Sequence, residues 1–452
     1  MFLSIVVLAL ASVASVSAGG CRGHGCGHSI RPVHKPCKQH EVCEETPLID
    51  CKQLEQKLVG YDGTDTGNKI LFDVYWGNRV LDFETVTGNG TVSGSIPDAL
   101  FGCTKKDTNT NSMGTPIGET YDQRHIDNAF PLDWRCDLST PEPITTFDPQ
   151  SGYLYELPTD AQFEAFVRDH GLELDTVIIL YDRSPAYNRM ATRAYFVFKY
   201  FGFQNVYIVD GGLDRCLADN ERPGSDPLKT NIPTTTVYPA NPADSSVSIV
   251  PGSVEITDAK FVAENLNNKF VKLIDARPRS MYWGYRYNDV NDPADDTDRP
   301  GGLIHTGQLI DRLGHIPGCY NRAWSNNYDW WQATVLGEGS PRTFVTFKPA
   351  SELATIYSQF LDSQVTTVTI CNEGIHAVLD AFVLKDILCF DNVLIYEGSH
   401  GEWAQLAVGG PLGSPAQAGR TAPLVTGCEI GPQECRTNEG EAPAAGSAAS
   451  YP

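Results

Sequence analysis

Short apolar runs alternate with amphipathic stretches along most of this chain. Runs rich in β-branched and aromatic residues predict buried strands, and apolar residues spaced three to four positions apart predict helices. In the first half the predicted strands are Lys69–Tyr75, Thr176–Tyr181 and Asn205–Val209, and the predicted helices are Asp160–His170 and Ala191–Phe201. Apolar strands that alternate with helices predict an α/β fold, in which a mainly parallel sheet is covered by helices on both faces.

The same order of elements recurs in the second half. The predicted strands there are Phe270–Ile274, Thr366–Ile370 and Asn392–Tyr396, and the predicted helices are Ala350–Leu361 and His376–Leu388. Two segments also match in sequence, because Asn205–Gly211 and Asn392–Gly398 are both apolar strands closed by an acidic residue and a glycine. A repeat of this kind predicts a duplicated domain.

Composition divides the chain into consecutive segments. Residues 1–18 are an apolar run that ends in small residues, which is typical of a secretory signal peptide. Residues 19–58 form a Cys/His-rich leader, residues 59–217 and 254–408 hold the two repeats, residues 218–253 predict a linker, and residues 409–452 predict a disordered tail. We therefore expect a secreted, extracellular protein.

The chain is strongly acidic. Its 452 residues carry a formal net charge of -22. Such a charge repels nucleic acid and anionic lipid, so we expect neither a nucleic-acid partner nor a membrane partner.

The thirteen cysteines make the export prediction chemically important, because most cysteines of a secreted protein are paired. The leader contains a group of potential disulfide or zinc ligands: Cys21, Cys26, Cys37, Cys43, Cys51, His24, His28, His34 and His40. No CxxC spacing occurs there, so a disulfide-stapled leader is favoured over a zinc site. The sequon at Asn89 indicates either a glycosylated loop or an unmodified turn.

One cysteine stands at a chemically distinctive place. Cys371 ends the predicted strand Thr366–Ile370 and precedes a predicted helix. Backbone N–H groups and a helix N-terminus should then face its sulfur, which favours a thiolate with a lowered pKa. The alternative is a buried structural cysteine. The carboxyl end of a strand favours the functional interpretation, because open α/β sheets bind ligands there.

The residues around Cys371 resemble the active-site loop of rhodaneses. The similarity begins with Cys-Asn-Glu-Gly-Ile-His at positions 371–376 and extends over about residues 65–408. The supporting motifs are Asp275-Ala276-Arg277, Gly314-His315-Ile316-Pro317-Gly318 followed by Ala323-Trp324, Tyr396-Glu397-Gly398-Ser399, and, in the first half, Arg124-His125-Ile126 and Asp210-Gly211-Gly212. Their consistent order makes chance similarity an inadequate explanation.

The resemblance implies two tandem rhodanese domains of the thiosulfate or 3-mercaptopyruvate sulfurtransferase type. Asp182 takes the place of the cysteine in the first domain, so that domain is expected to be catalytically silent and Asp182→Ala nearly harmless. Cys371 is the implied nucleophile, and the implied substrate-binding residues are Asn372, Glu373, Gly374, Ile375, His376, Arg277, Arg279, Arg286 and His125. The expected partners are a small sulfur donor and a thiol, cyanide or sulfite acceptor. No cofactor or metal is expected, and the protein should be a monomer.

The sequence departs from the family pattern at the substrate site. Asn372 and Glu373 stand where relatives carry basic or small residues, and Met281 stands where relatives carry a substrate-binding arginine. Arg279 or Arg286 is a candidate replacement. His376 replaces a threonine, and it is either a proton donor or a residue that faces solvent.

Two other functions compete with sulfur transfer. Phosphatases of this fold need an arginine at the sixth position after the cysteine, and Ala377 occupies that position, which argues against a phosphatase. A secreted, catalytically impaired rhodanese-like binding or matrix protein is the remaining alternative, supported by Glu373 and Met281. Retention of an oxidisable thiol at Cys371 favours the enzyme.

Overall fold

The structure is a computed structural model. It describes residues 43, 45–60, 69–75, 121, 123–139, 156–184, 186–220, 230–231, 254–283, 314–335, 338–404, 422–424 and 449–450. The predicted signal peptide, most of the leader, the sequon at Asn89, most of the linker and the candidate Arg286 lie outside the described residues.

The first sheet contains five parallel strands. They are β1 (Leu48–Ile49), β2 (Lys69–Tyr75), β4 (Phe130–Asp133), β5 (Val177–Tyr181) and β6 (Val206–Val209), in the spatial order β1-β6-β5-β2-β4. A short strand β3 (His125–Ile126) pairs antiparallel with β7 (Thr230–Asn231). The helices are α1 (Cys51–Lys57), α2 (Trp134–Asp137), α3 (Asp160–Asp169), α4 (Arg189–Tyr200) and α5 (Gly212–Asn220).

The second sheet repeats the first. Its strands are β8 (Glu255–Thr257), β9 (Val271–Asp275), β10 (Cys319–Asn321), β13 (Thr366–Ile370) and β14 (Val393–Tyr396), all parallel, in the order β8-β14-β13-β9-β10. Its helices are α6 (Ala259–Asn265), α7 (Arg279–Tyr282), α8 (Ala350–Tyr357), α9 (Ile375–Phe382) and α10 (Ser399–Trp403), with a 3₁₀ turn at Trp324–Asn327 and a π turn at Val383–Ile387. The predicted duplicated α/β fold is confirmed. None of the described helices is long and apolar enough to cross a bilayer.

The end of the predicted leader is part of the first sheet. Strand β1 pairs with β6, and Asp50 begins α1 with a capping box to Gln53. In the second domain Asp258 caps α6 by accepting a hydrogen bond from the Phe261 amide. The boundary predicted at residue 59 therefore lies too late, because a two-residue strand is too short to be recognised from its own sequence.

Two disulfides fasten this N-terminal segment to both domains. Cys51 is bonded to Cys216 in the first domain, and Cys43 is bonded to Cys389 in the second. The amide of Cys43 also donates to the carbonyl of Ile387, at the end of the π turn. The segment therefore joins the two domains covalently.

A ribbon that the sequence pattern did not predict joins the second domain to the first. Strands β11 (Tyr328–Ala333) and β12 (Arg342–Phe347) pair antiparallel. From β12, the Arg342 guanidinium donates to Asp214 at 2.7 Å, and the Phe347 amide donates to Asp210 at 3.0 Å. These contacts cross from one repeat to the other, so local periodicity carries no sign of them.

Parts of the predicted disordered tail are ordered. Ala422 is buried, and the carbonyl of Pro423 accepts a hydrogen bond from the Trp403 indole. Near the C-terminus, β15 (Ala449–Ser450) adds a parallel strand to β11. The prediction of disorder is wrong for these segments, because partners distant in sequence supply the hydrogen bonds that their own composition does not signal.

Helices α4 and α9 pack against each other between the domains. The Tyr195 and Phe382 rings lie edge to face with centroids 5.1 Å apart, and the Tyr195 hydroxyl donates to Asp386 at 2.8 Å. Arg193 of α4, which is fully buried, pairs with Glu397 beyond β14 at 2.7 Å. Because α4 and α9 each follow the carboxyl end of a central strand, this packing brings the two equivalent loops towards each other.

Candidate active site

The loop around Cys371 turns directly from strand to helix. Strand β13 ends at Ile370, and α9 begins at Ile375, with Gly374 between them in a left-handed conformation at φ 82°. A Cβ atom at position 374 would lie 3.1 Å from the Glu397 carbonyl oxygen, so glycine suits both the dihedral angle and the close approach. This tight turn places the Cys371 sulfur under the start of the helix.

Backbone amides surround the Cys371 sulfur. The Glu373 amide nitrogen lies 3.4 Å from Sγ, and the amides of His376 and Ala377 also donate to it. The residue is 1% exposed. Burial raises the pKa of the Cys371 thiol, the nearby charge of Glu373 raises it further, and the amides oppose both effects. The sequence-based expectation of a lowered pKa was wrong, because it did not include burial.

A second loop fixes the backbone of Cys371. The Cys371 amide donates to the Ser399 hydroxyl at 3.1 Å, and that hydroxyl donates to the Tyr396 carbonyl at 2.6 Å. The amides of His400 and Gly401 donate to the carbonyls of Cys371 and Asn372. The motif at 396–399 therefore holds the nucleophile loop in place.

The residues that depart from the family pattern meet beside this loop. The Asn372 side-chain amide lies 3.5 Å from the sulfur of Met281, so α7 rests against the loop. Glu373 is 3% exposed. The position predicted to lack an anion-binding arginine is therefore next to the loop of the candidate nucleophile.

His376 lies between an aromatic ring and a cation from the other domain. Its ring stacks on Trp324 with centroids 5.0 Å apart, and its Nε2 lies 3.3 Å from Nη1 of Arg189. Burial, together with the positive charge of Arg189, lowers the pKa of His376 well below its usual value. The residue is half-buried rather than turned to solvent, and it is neutral at physiological pH, which argues against a proton donor.

The predicted arginines occupy different environments. Arg277 is buried, and its Nε donates to both carboxylate oxygens of Asp275 at 2.9 and 3.0 Å. Its guanidinium also donates to the Gly314 carbonyl, so Arg277 joins two loops of its own domain. These contacts support a structural role in place of the predicted substrate contact. Arg279 lies on α7 with its guanidinium 4.1 Å from the centre of the Trp283 ring, and its role stays a prediction.

His125 packs inside the first domain. It is buried, its ring stacks on Tyr121 with centroids 4.1 Å apart, and its Nδ1 lies 3.1 Å from the Tyr121 carbonyl oxygen. His315 has the same arrangement with Tyr282 in the second domain. A pair repeated in both domains supports a structural role rather than the predicted substrate contact.

Asp182 fills the place of Cys371 in the first domain. One of its oxygens accepts from the amide of Asn188 at 2.9 Å, and the other accepts from the amides of Met190 and Ala191 at 3.0 and 3.1 Å. Burial raises the pKa of Asp182 to about 7, although these amides lower it. The first domain thus keeps the amide cradle and fills it with its own carboxyl group.

Two cysteines are outside disulfide bonds among those whose side chains the structure describes. They are Cys371 and Cys319, both buried. Cys371 is therefore not the only cysteine outside a disulfide among the described residues. The sequence pattern also gave no sign of Arg189, because its contact, His376, follows it by 187 positions and local periodicity does not relate residues that far apart.

Comparisons with known proteins agree with this geometry. A family model described as "Rhodanese-like domain" matches residues 116–219 and 258–406. The chain is 30% identical over 295 residues to a Haloferax volcanii protein named "Putative thiosulfate sulfurtransferase", which covers 65% of this chain and 85% of that protein. It is also 29% identical over 291 residues to a thiosulfate sulfurtransferase of Corynebacterium glutamicum. That alignment covers 63% of this chain and 79% of the Corynebacterium protein.

A solved structure shares the fold. The anaerobic ergothioneine biosynthesis enzyme from Chlorobium limicola, in complex with its natural substrate trimethyl histidine, superposes with a TM-score of 0.52 at 15% identity. The match covers 84% of this chain and 70% of that one. At this identity the similarity concerns the fold alone.

Proposed function

The chain belongs to the rhodanese family of sulfurtransferases, and we propose that it transfers a sulfane sulfur through a persulfide on Cys371. The observation that carries this proposal is the cradle of amides from Glu373, His376 and Ala377 around Sγ. An anionic sulfur species needs such preorganised donors, because the buried site offers it little water.

The reaction balances in two half-reactions. The Cys371 thiolate attacks the outer sulfur of the donor, a new S–S bond forms, and the donor's bond to that sulfur breaks with its electron pair on the leaving group. Thiosulfate would leave as sulfite, and 3-mercaptopyruvate as pyruvate after protonation. A thiolate, sulfite or cyanide then attacks the outer sulfur of the persulfide and regenerates the Cys371 thiolate. Neither half-reaction calls for a metal or an organic cofactor.

The charge beside the nucleophile should select the donor. Glu373 acts on Cys371 as a nearby negative charge, and the loop from Asn372 to His376 contains no lysine or arginine. A donor with two negative charges is repelled more strongly than a donor with one. We therefore propose a singly charged or neutral sulfur donor as the preferred substrate, and a small thiol, sulfite or cyanide as the acceptor.

We also propose that the protein is exported. The apolar residues 1–18 and two disulfides that join sequence-distant cysteines suit an oxidising compartment. Catalytic impairment is the competing interpretation, supported by the 1% exposure and the raised pKa of Cys371.

Intact mass spectrometry tests the proposed function. The protein is incubated with thiosulfate, or separately with 3-mercaptopyruvate, and then with a thiol acceptor. We expect a gain of about 32 Da, one sulfur atom, that maps to Cys371 and disappears with the acceptor. If neither these donors nor an alkyl hydropersulfide adds sulfur, the binding-protein alternative replaces the enzyme.

Charge reversal at Glu373 should change the donor preference. At an effective dielectric of about 20, two unit charges ~4 Å apart interact by roughly 4 kcal/mol. Even a part of this energy corresponds to at least about tenfold in rate. We therefore expect Glu373→Lys to raise kcat/KM for thiosulfate at least about tenfold and Glu373→Gln to raise it less, with Met281→Arg adding to the gain.

Steady-state kinetics with thiosulfate between pH 5 and 9 measure these changes. Glu373→Asp, which keeps the charge, is the matched control. Unchanged thiosulfate kinetics in Glu373→Lys would show that the side chain does not face the donor.

A further inference from the structure

We propose that the silent first domain supplies a specificity-determining residue to the second: Arg189 binds the carboxylate of a singly charged organic sulfur donor. This inference rests on the proposed function and names the substrate class for the same site. It gives the first domain a part in substrate recognition even though Asp182 replaces its nucleophile.

The position of Arg189 relates it directly to the sulfur cradle. Its Nη1 lies 3.3 Å from Nε2 of His376, and its guanidinium carbon lies 4.7 Å from the centre of the Trp324 ring. The backbone amide of that same histidine donates to Sγ of Cys371. One residue therefore separates the guanidinium from the atoms that hold the reacting sulfur.

Asp182 fixes the backbone that carries Arg189. Its carboxylate accepts hydrogen bonds from the amides of Asn188, Met190 and Ala191, on both sides of Arg189. The side chain is held as well, because its Nε donates to the Ala186 carbonyl at 2.8 Å. A guanidinium fixed in this way loses little conformational freedom when it binds an anion. Asp182 is thus a positioning residue for Arg189.

The charges near Cys371 explain why an arginine from the other domain is needed. The family position for an anion-binding arginine is Met281, a thioether that contacts Asn372. Arg277 is buried against Asp275. Arg189 is only half-buried, its positive charge acts on Asp182, and its contact at His376 is with a neutral imidazole. A carboxylate is a stronger partner for a guanidinium than a neutral ring nitrogen, so a donor anion would displace that contact.

A single carboxylate fits the opposing charges. Arg189 contributes one positive charge, while Glu373 contributes a negative charge that acts on Cys371. The guanidinium of Arg189 can balance one negative charge of the sulfur donor, whereas a second negative charge would be repelled by the carboxylate of Glu373. The site is therefore suited to a donor such as 3-mercaptopyruvate rather than to a dianion.

Paired donors test the role of Arg189. The rate of persulfide formation is measured by mass in single turnovers with 3-mercaptopyruvate and with mercaptoacetone, the uncharged analogue in which a methyl group replaces the carboxylate and acetone is the leaving product. We expect Arg189→Met to reduce the rate constant for 3-mercaptopyruvate about tenfold to a hundredfold, the effect of losing a charge-assisted hydrogen bond, and to leave the uncharged donor nearly unchanged. Arg189→Lys should recover part of the loss. Arg168→Met, a change at an exposed arginine of α3, is the matched control.

Asp182→Ala should show the same selective loss in weaker form, because it releases the backbone around Arg189. This revises the sequence-based expectation that Asp182→Ala is nearly harmless.

An equal loss of rate with both donors in Arg189→Met would mean that Arg189 is structural, and no loss with either donor would remove Arg189 from the site.

A binding measurement separates this inference from the proposed function. In a Cys371→Ser background, calorimetry measures 3-mercaptopyruvate binding with and without Arg189→Met. We expect Arg189→Met to weaken binding about tenfold or more. Binding that is absent in Cys371→Ser, or that is equal in the two proteins, would overturn the inference, even where the wild-type protein forms the persulfide. Loss of persulfide formation with retained, Arg189-dependent binding would overturn only the proposed function.

Discussion

We expect the Cys371→Ser variant to lose sulfur transfer by at least about a thousandfold in kcat/KM, the scale of removing a nucleophile that carries a covalent intermediate. A serine hydroxyl in the same amide cradle cannot form a persulfide, although it preserves the packing around Ser399 and Gly374. Steady-state assays with 3-mercaptopyruvate and a thiol acceptor measure the loss, and intact mass should show no added sulfur.

Cys319→Ser is the matched control for this prediction. Cys319 is the other described cysteine outside a disulfide, is equally buried, and lies on β10 at the edge of the second sheet. We expect it to retain most of the activity. Substantial transfer by Cys371→Ser, or an equal loss in Cys319→Ser without unfolding, would remove Cys371 from the mechanism.

The pH dependence of the first half-reaction follows from the same environment. Because burial raises the pKa of the Cys371 thiol, the thiolate fraction is small at neutral pH and grows as pH rises. The single-turnover rate with an uncharged donor should therefore increase into the alkaline range, and the Cys371→Ser variant should lack this increase. A rate that is flat from pH 6 to 9 would indicate that substrate binding lowers the pKa before reaction.

The second large effect concerns stability. Arg193→Ala should lower the free energy of unfolding by about 3–5 kcal/mol, because it leaves the carboxylate of Glu397 buried without its cationic partner. Burial already raises the pKa of Glu397, and the charge of Arg193 opposes that rise. Chemical denaturation followed by tryptophan fluorescence measures the change.

A double variant separates the ion pair from the packing. Arg193→Met with Glu397→Leu removes both charges and keeps apolar volume at the domain interface, so it should recover most of the stability lost in Arg193→Ala. Glu397→Gln alone should cost less than Arg193→Ala, since a neutral amide can still accept from the guanidinium. If Arg193→Ala unfolds like the wild-type protein, the pair adds nothing to the interface.

The pattern of the sequence anticipated the central elements of both domains. Strands β2 and β13 were predicted with their observed bounds, and β5 and β14 differ from their predictions by one residue at the N-terminal end. The helices α4 and α9 were also placed correctly, apart from the π turn at Val383–Ile387, which continues α9. These elements are long or fully buried, so their own residues contain the signal that defines them.

Elements that depend on distant partners were missed. Strand β1 has two residues and is stabilised by pairing with β6, far along the chain. The ribbon of β11 and β12 carries mixed polar and aromatic residues, and its contacts with Asp210 and Asp214 reach the first domain. Local periodicity describes how a segment buries one face, but it does not describe which other segment covers that face.

The sequence by itself determined the duplicated α/β fold and the position of Cys371 between a buried strand and a helix. Both follow from local periodicity and from the order of elements along the chain. Only the tertiary structure decided that burial raises the pKa of Cys371, that Arg277 is bound by Asp275, and that Arg189 of the first domain reaches His376. The physical reason is that desolvation and Coulomb interactions depend on distance in space, and both the loop that covers Cys371 from Ser399 and the guanidinium that reaches His376 come from segments far along the chain.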